Sequence, residues 1–147
     1  SRPRKEAIMT DLTDHGPRPY TLDIEEATRA NDNFRSTLWT GEHLQLTVMS
    51  IDVGDDIGLE VHPDNDQFLR LEQGRGRVTM GPSETEVTFE EEVADDWAIF
   101  VPAGTWHNVV NIGDEPMKVY AIYGPADHVR GTVHATKQDQ ENDPNEH

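Results

Sequence analysis

Apolar and polar residues alternate in short runs through the middle of the chain, from about residue 34 to residue 123. The period of two is clearest around Val87 and Phe89, whose neighbours at positions 86 and 88 are polar, as expected of a β-strand with one buried face. Links rich in glycine, proline and aspartate separate the runs and are typical of tight turns. The pattern predicts strands at residues 35–40, 43–53, 57–62, 67–73, 75–81, 86–92, 97–101, 105–111 and 117–123.

Both ends of the chain lack this pattern. Residues 1–21 are interrupted by prolines and predict an extended arm. Asp23, followed by Glu25 and Glu26, is a typical helix N-cap with acids in the first turn, and predicts a helix of about two turns. Residues 137–147 contain no apolar side chain and predict a disordered acidic tail.

The predicted fold class is all-β. About nine strands joined by tight turns are typical of a sandwich or a jelly-roll β-barrel, and 147 residues are enough for one ordinary domain. We therefore divide the chain into an N-terminal arm with a short helix (1–33), a β-barrel (34–124) and a C-terminal extension with a tail (125–147).

Composition limits the chemistry that such a barrel could perform. The chain has no cysteine, which excludes disulfides, thiolate metal sites and cysteine nucleophiles within it. Seven histidines and the carboxylates are then the strong metal ligands that remain.

Charge and hydropathy bear on partners and location. The formal net charge of -17 argues against nucleic acid and anionic membranes as partners, because both would repel the chain. No apolar run approaches the roughly 20 residues of a membrane helix, and the first residues lack the apolar segment of a secretory signal. We expect a cytoplasmic location.

Candidate metal ligands lie in two stretches, residues 54–76 and 102–111. Glu60 and His62 are two positions apart, so on a strand their side chains point to the same face. Gln67 follows in the first stretch, and His107 lies in the second. These side chains could instead be ordinary polar residues of a barrel mouth. The other histidines have no such spacing and are expected at the surface or in the tail: His15, His43, His128, His134 and His147.

The two stretches resemble the paired motifs of small single-domain cupins. The first, Gly-x5-His-x-His-x3-4-Glu-x6-Gly in the family, reads here Gly54-x5-Glu60-x-His62-x4-Gln67-x6-Gly74. The second, Gly-x5-Pro-x-Gly-x2-His-x3-Asn, reads Asp96-x5-Pro102-x-Gly104-x2-His107-x3-Asn111. A glutamate thus replaces the family's first histidine, and a glutamine replaces its glutamate. A shorter stretch, Glu60-Val-His62-Pro-Asp64, is similar to an element of type I phosphomannose isomerases.

The resemblance implies one divalent transition metal (Fe, Mn, Zn, Ni or Co) held by Glu60, His62, Gln67 and His107. It leaves open whether Gln67 binds the ion or hydrogen-bonds a water on it. Two histidines and one carboxylate form the facial set found in non-haem iron sites. In this interpretation Glu60 also carries a proton during catalysis.

The resemblance also implies a class of function. We expect a metalloenzyme acting on a small oxygenated metabolite, as a sugar or keto-acid isomerase, a decarboxylase or a dioxygenase. The alternatives are a non-catalytic cupin that binds a small molecule, and an oligomeric scaffold with a vestigial site. By the same resemblance we expect a homodimer, with residues 34–40 as a possible contact.

Overall fold

In the computed structural model of the protein, the described residues are 11–146. The first ten residues of the predicted arm and His147 lie outside them. Nine strands follow in order: Arg35–Thr40 (β1), Gln45–Ile51 (β2), Asp66–Gln73 (β3), Arg75–Gly81 (β4), Phe89–Ala94 (β5), Ala98–Val101 (β6), Trp106–Asn111 (β7), Met117–Gly124 (β8) and Val133–His134 (β9). The first eight agree with predicted strands to within a few residues at most ends.

The strands form two antiparallel sheets, with orders β6-β3-β8-β2-β1-β9 and β5-β4-β7. The pairing of Met49 with Val119, and of Val119 with Leu71, places these three side chains in one row on the inner face. They belong to the main core, which also contains Val78 and Val109 from the smaller sheet. The core is therefore enclosed between the two sheets, which confirms the all-β jelly-roll prediction.

The predicted strand 57–62 is an exception. It pairs only through isolated bridges, Asp56 with Val110 and Glu60 with His107. Gly58 lies between them with φ of 93°, which interrupts an extended backbone. The alternation of residues 57–62 was therefore a correct indication of pairing but a wrong indication of a continuous strand.

A short helix, Ile24–Ala30 (α1), covers the outer face of the larger sheet. It begins where predicted, because the side chain of its N-cap Asp23 accepts a hydrogen bond from the Glu26 amide at 3.1 Å. Ala27 of this helix is fully buried in a second apolar cluster with residues of β1, β2 and β8. Phe68 packs against the same cluster, outside the barrel core.

The C-terminal segment is ordered, and the prediction of a disordered tail is wrong for residues 137–146. After β9 the chain forms a helix, Lys137–Asn142 (α2), and a 3-10 helix, Pro144–Glu146. A capping box starts α2, with Thr136 and Asp139 each accepting the other's backbone N–H.

Polar contacts hold this segment, and none of the side chains of α2 is buried. The Lys137 ammonium donates to the carboxylates of Asp55 and Asp56. Glu146 reaches inward and is only 7% exposed at its side chain. Because these contacts join residues far apart in sequence, an apolar pattern could not reveal them. Within the described residues, neither α1 nor α2 is long and apolar enough to cross a membrane.

Strand β1 lies inside the larger sheet. It pairs with β2 on one side, and its first two residues, Arg35 and Ser36, pair with β9 on the other. That part of residues 34–40 offers no free strand edge to a second copy. A homodimer stays a prediction.

Candidate metal centre

Three of the four predicted ligands converge. The ligand atoms of Glu60, His62 and His107 all lie within 4.8 Å of one another. Glu60 Oε1 is 3.2 Å from His62 Nε2 and 3.5 Å from His107 Nε2. Both histidines are buried. The two sequence stretches therefore meet at one point inside the barrel.

Each imidazole is oriented through its other ring nitrogen. His62 Nδ1 is 3.0 Å from Asp127 Oδ1, and His107 Nδ1 is 3.0 Å from the Thr105 carbonyl oxygen. Because a carbonyl only accepts hydrogen bonds, the proton of His107 is on Nδ1 and the lone pair of Nε2 faces the cluster. The Asp127 carboxylate likewise holds Nδ1 of His62, so that Nε2 of this ring faces the cluster. This is how metal-binding histidines are usually held.

Gln67 points to the same interior. It lies on β3, opposite Tyr123 of β8 and Val101 of β6, and it is buried. Its Oε1 atom has no hydrogen-bond partner among residues 11–146, and the same holds for Glu60 Oε1, His62 Nε2 and His107 Nε2. Glu60 Oε1 is close to His62 Nε2 and to His107 Nε2, but neither contact has the geometry of a hydrogen bond.

Burying these four atoms without a partner would destabilise the folded protein, by roughly 1–3 kcal/mol for each neutral group. A bound cation would satisfy the atoms of Glu60, His62 and His107 together, because they lie within 4.8 Å of one another. Two imidazoles, one carboxylate and one amide oxygen suit Fe, Mn, Co, Ni or Zn better than Ca or Mg. The residues present therefore fit a divalent transition metal.

The charges of the cluster are mutually adjusted. Burial by itself would raise the pKa of Glu60, but the adjacent His107 and His62, together with the positive charge of Arg35, outweigh it and lower that pKa. Burial would lower the pKa of His62, but Asp127 and Glu60 outweigh it and raise this pKa to about 9. Without metal, the pair is ionised at neutral pH.

The burial of two further histidines was missed by the sequence analysis. His128 and His134 are buried, so their expected surface or tail placement is wrong. His128 Nδ1 lies 2.8 Å from Glu146 Oε1, and His134 Nε2 lies 2.9 Å from Asp143 Oδ2. Each of these buried imidazoles pairs with a carboxylate from the C-terminal segment, and no local sequence pattern indicates such pairs.

The other two histidines within the described residues differ. His43 is exposed, as expected. His15 is partly buried and stacks on Tyr20, with ring centroids 4.2 Å apart. One feature of the sequence could have pointed to His128 as a functional residue. It directly follows Asp127, just after the last long strand.

Comparison with known proteins agrees with this architecture. The family model described as Cupin domain matches residues 47–123, a range that includes all four predicted ligands. The uncharacterized protein YrkC of Bacillus subtilis (strain 168) is 57% identical over 128 residues, covering 87% of this chain and 69% of the relative. The uncharacterized protein L612 of Acanthamoeba polyphaga mimivirus is 36% identical over 115 residues, covering 78% of this chain and 70% of the relative.

A solved structure is also similar over most of the chain. The crystal structure of BH2720 from Bacillus halodurans is 58% identical, with a TM-score of 0.87, and the match covers 88% of this chain and 98% of that one. The barrel topology, the family match and these relatives lead to one conclusion: the chain belongs to the cupin family.

Proposed function

We propose that this cupin is a metal-dependent enzyme acting on a small oxygenated metabolite. The observation that carries the proposal is the set of four buried, unpaired donor atoms on Glu60, His62, Gln67 and His107, counted within residues 11–146. Three of these residues already bring their ligand atoms within 4.8 Å of one another. A divalent ion bound there would polarise substrate oxygen atoms as a Lewis acid.

The chain's own residues would prepare this site in three ways. Asp127 and the Thr105 carbonyl fix the tautomers of His62 and His107, so that both Nε2 atoms face the cluster. Burial of both rings excludes water from the inner side. The Glu60 side chain remains 21% exposed, so a substrate would reach the centre from the side of this carboxylate.

Glu60 has two proposed roles that its environment supports unequally. The lowered pKa keeps its carboxylate ionised and suits it as an anionic ligand. The same shift makes it a weak base, since proton transfer is most efficient when the pKa lies near the working pH. Support for the ligand role is therefore stronger than support for the proton-carrying role.

Metal content is the direct test. We expect the protein, purified without added metal, to bind about one ion of Fe, Mn, Co, Ni or Zn per chain on incubation, measured by elemental mass spectrometry after dialysis. His62→Ala and His107→Ala should each retain only a small fraction of that bound metal. His43→Ala, which removes an exposed imidazole, is the matched control and should bind as the unaltered chain does. Full metal binding by either buried-histidine variant would refute the site.

A non-catalytic binding protein is the second candidate. It is favoured by Glu60 and Gln67, which stand where the family motif has a histidine and a glutamate. A substrate panel of 2-oxo acids and sugars, with oxygen uptake recorded in parallel, separates the two functions. For an enzyme, His107→Ala abolishes metal binding and turnover together. For a binding protein, no panel compound is consumed, and binding survives removal of the metal.

A further inference from the structure

Arg35 is a buried cation with poor partners. It lies on β1 and is only 1% exposed. Its Nη2 atom donates to Met49 Sδ at 3.5 Å, and a thioether is a weak acceptor. Its Nε and Nη1 atoms find no hydrogen-bond partner within the described part of the chain. Because a guanidinium stays charged in proteins, burial without good acceptors is costly.

A carboxylate from the chain's C-terminal segment approaches this cation without matching it. Glu146 Oε1 is 3.6 Å from Arg35 Nη1, beyond good hydrogen-bond distance. Both carboxylate oxygens of Glu146 are instead close to His128 Nδ1, at 2.8 and 3.0 Å. An arginine fork binds a carboxylate best through two parallel hydrogen bonds, which this arrangement does not provide.

This cation lies beside the candidate metal centre. The Tyr123 ring stands edge-on to His62, with centroids 5.4 Å apart, and edge-on to His128, with centroids 5.1 Å apart. Asp127 contacts His62 Nδ1 at 3.0 Å and His128 Nε2 at 3.5 Å. The Tyr123 hydroxyl is buried and has no hydrogen-bond partner among residues 11–146. Tyr123 and Asp127 therefore each contact both the candidate ligand His62 and His128, the residue that shares the Glu146 carboxylate with Arg35.

We propose that Arg35, His128 and Tyr123 form a subsite for the carboxylate of the substrate, and that the Glu146 carboxylate fills it until substrate enters. This rests on the proposed function and names the substrate class. The substrate is a small carboxylic acid with a further oxygen, such as a 2-oxo or 2-hydroxy acid, that reaches the centre of Glu60, His62 and His107. The Tyr123 hydroxyl is a donor for that acid.

Charge and mobility both favour this subsite. The net charge of -17 repels small acids, so a binding site for one needs a local cation. Glu146 is in a one-turn helix after α2, and neither helix buries an apolar side chain. Segments held by polar contacts open at low free-energy cost, which allows Glu146 to leave.

The first experiment removes the internal carboxylate from chelator-treated, metal-free protein. In Glu146→Ala, and in the milder Glu146→Gln, the thermal midpoint should fall because Arg35 loses its counter-charge. Acetate should raise the midpoint of Glu146→Ala saturably, and should bind about tenfold tighter than to the unaltered chain, whose pocket is occupied. Acetamide, which has the same shape but no charge, should leave the thermal midpoint of Glu146→Ala unchanged.

Two variants control this experiment. Glu92→Ala also removes a carboxylate beside an arginine, Arg75, but at the surface, where acetate should have no saturable effect. Arg35→Met in the Glu146→Ala background should abolish the acetate response. A response that persists without Arg35, or none in Glu146→Ala, overturns the subsite. Since no metal is present, failure of the metal centre leaves this result unaffected.

The second experiment asks whether Glu146 leaves in the unaltered chain. Pyruvate should increase hydrogen exchange of residues 137–146 saturably in the protein as purified, and methyl pyruvate, which lacks the charge, should not. If acetate rescues Glu146→Ala but pyruvate leaves this exchange unchanged, Glu146 is a permanent structural group and the subsite is overturned. Metal content, measured on the same sample, separately reports on the proposed function.

Discussion

Glu60 and His107 exchange two backbone hydrogen bonds, from Glu60 N to His107 O at 3.0 Å and from His107 N to Glu60 O at 2.9 Å. Residues paired in this way lie directly opposite each other, and their side chains project from the same face. The backbone therefore aligns one carboxylate and one imidazole before any ion binds. His62, two positions after Glu60, completes the group.

Gln67 is the candidate ligand whose role is least constrained, and two variants test that role. If its amide oxygen binds the ion, Gln67→Glu should bind metal more tightly, because a carboxylate is a stronger ligand for a divalent cation. Gln67→Ala should weaken binding by about 10- to 100-fold if the residue binds or supports the ion. Chelator competition measures both affinities. Equal affinities in all three proteins would show that Gln67 takes no part.

Asp127 should act on the metal through His62. Asp127→Asn keeps the shape but removes the charge that orients the His62 ring at 3.0 Å. We expect metal affinity to fall by about 10- to 100-fold, as for other carboxylates behind histidine ligands. Asp64→Asn is the control, since Asp64 lies in the first motif, two positions after His62, and is exposed. A matching loss in both variants would assign the effect to overall charge.

The sequence was sufficient for those parts of the molecule that depend on local periodicity. Strands β1 and β4 begin and end where predicted, and β4 buries alternate residues over most of its length, at positions 76, 78 and 80. The meeting of His62 with His107 could also be predicted, since motif spacing and strand pairing determine it together.

Other features depend on contacts between residues distant in sequence. Arg35 is an ordinary polar residue in a strand until Glu146 and His128 are seen beside it. Similarly, Lys137 begins a run with no apolar residue, and only the structure shows that Asp55 and Asp56 hold it. Such polar pairs leave no periodic trace, which is why the C-terminal segment was wrongly predicted to be disordered.

Acid stability should depend on Asp14, whose carboxylate joins three segments. It accepts hydrogen bonds from the Thr40 amide and hydroxyl, the Gly16 amide and the Gly131 amide. Burial would raise the pKa of Asp14, but these bonds outweigh it and lower that pKa. Asp14→Asn should reduce the free energy of unfolding by about 1–3 kcal/mol at pH 7, measured by urea denaturation.

The pH dependence of this difference follows from the direction of the pKa shift. Because the folded pKa of Asp14 lies below the unfolded value of 3.8, the unfolded chain binds the proton more readily. The stabilisation is complete above pH 3.8 and is lost as pH falls through the folded pKa. The gap between the unaltered chain and Asp14→Asn should therefore narrow only in that acidic range. Asp52→Asn, at an exposed site, should have the same free energy of unfolding as the unaltered chain.

Lys137 should control how tightly the C-terminal segment closes over the barrel. Lys137→Met keeps the length of the side chain but removes the ammonium that pairs with Asp55 and Asp56. We expect hydrogen exchange of residues 137–146 to accelerate by up to about tenfold, while exchange in β2 and β8 stays slow. Arg77→Met, which removes an exposed cation from β4, should leave both regions unchanged. Uniform acceleration across the barrel would mean that Lys137 stabilises the whole domain, whereas acceleration confined to residues 137–146 would show that the segment opens separately.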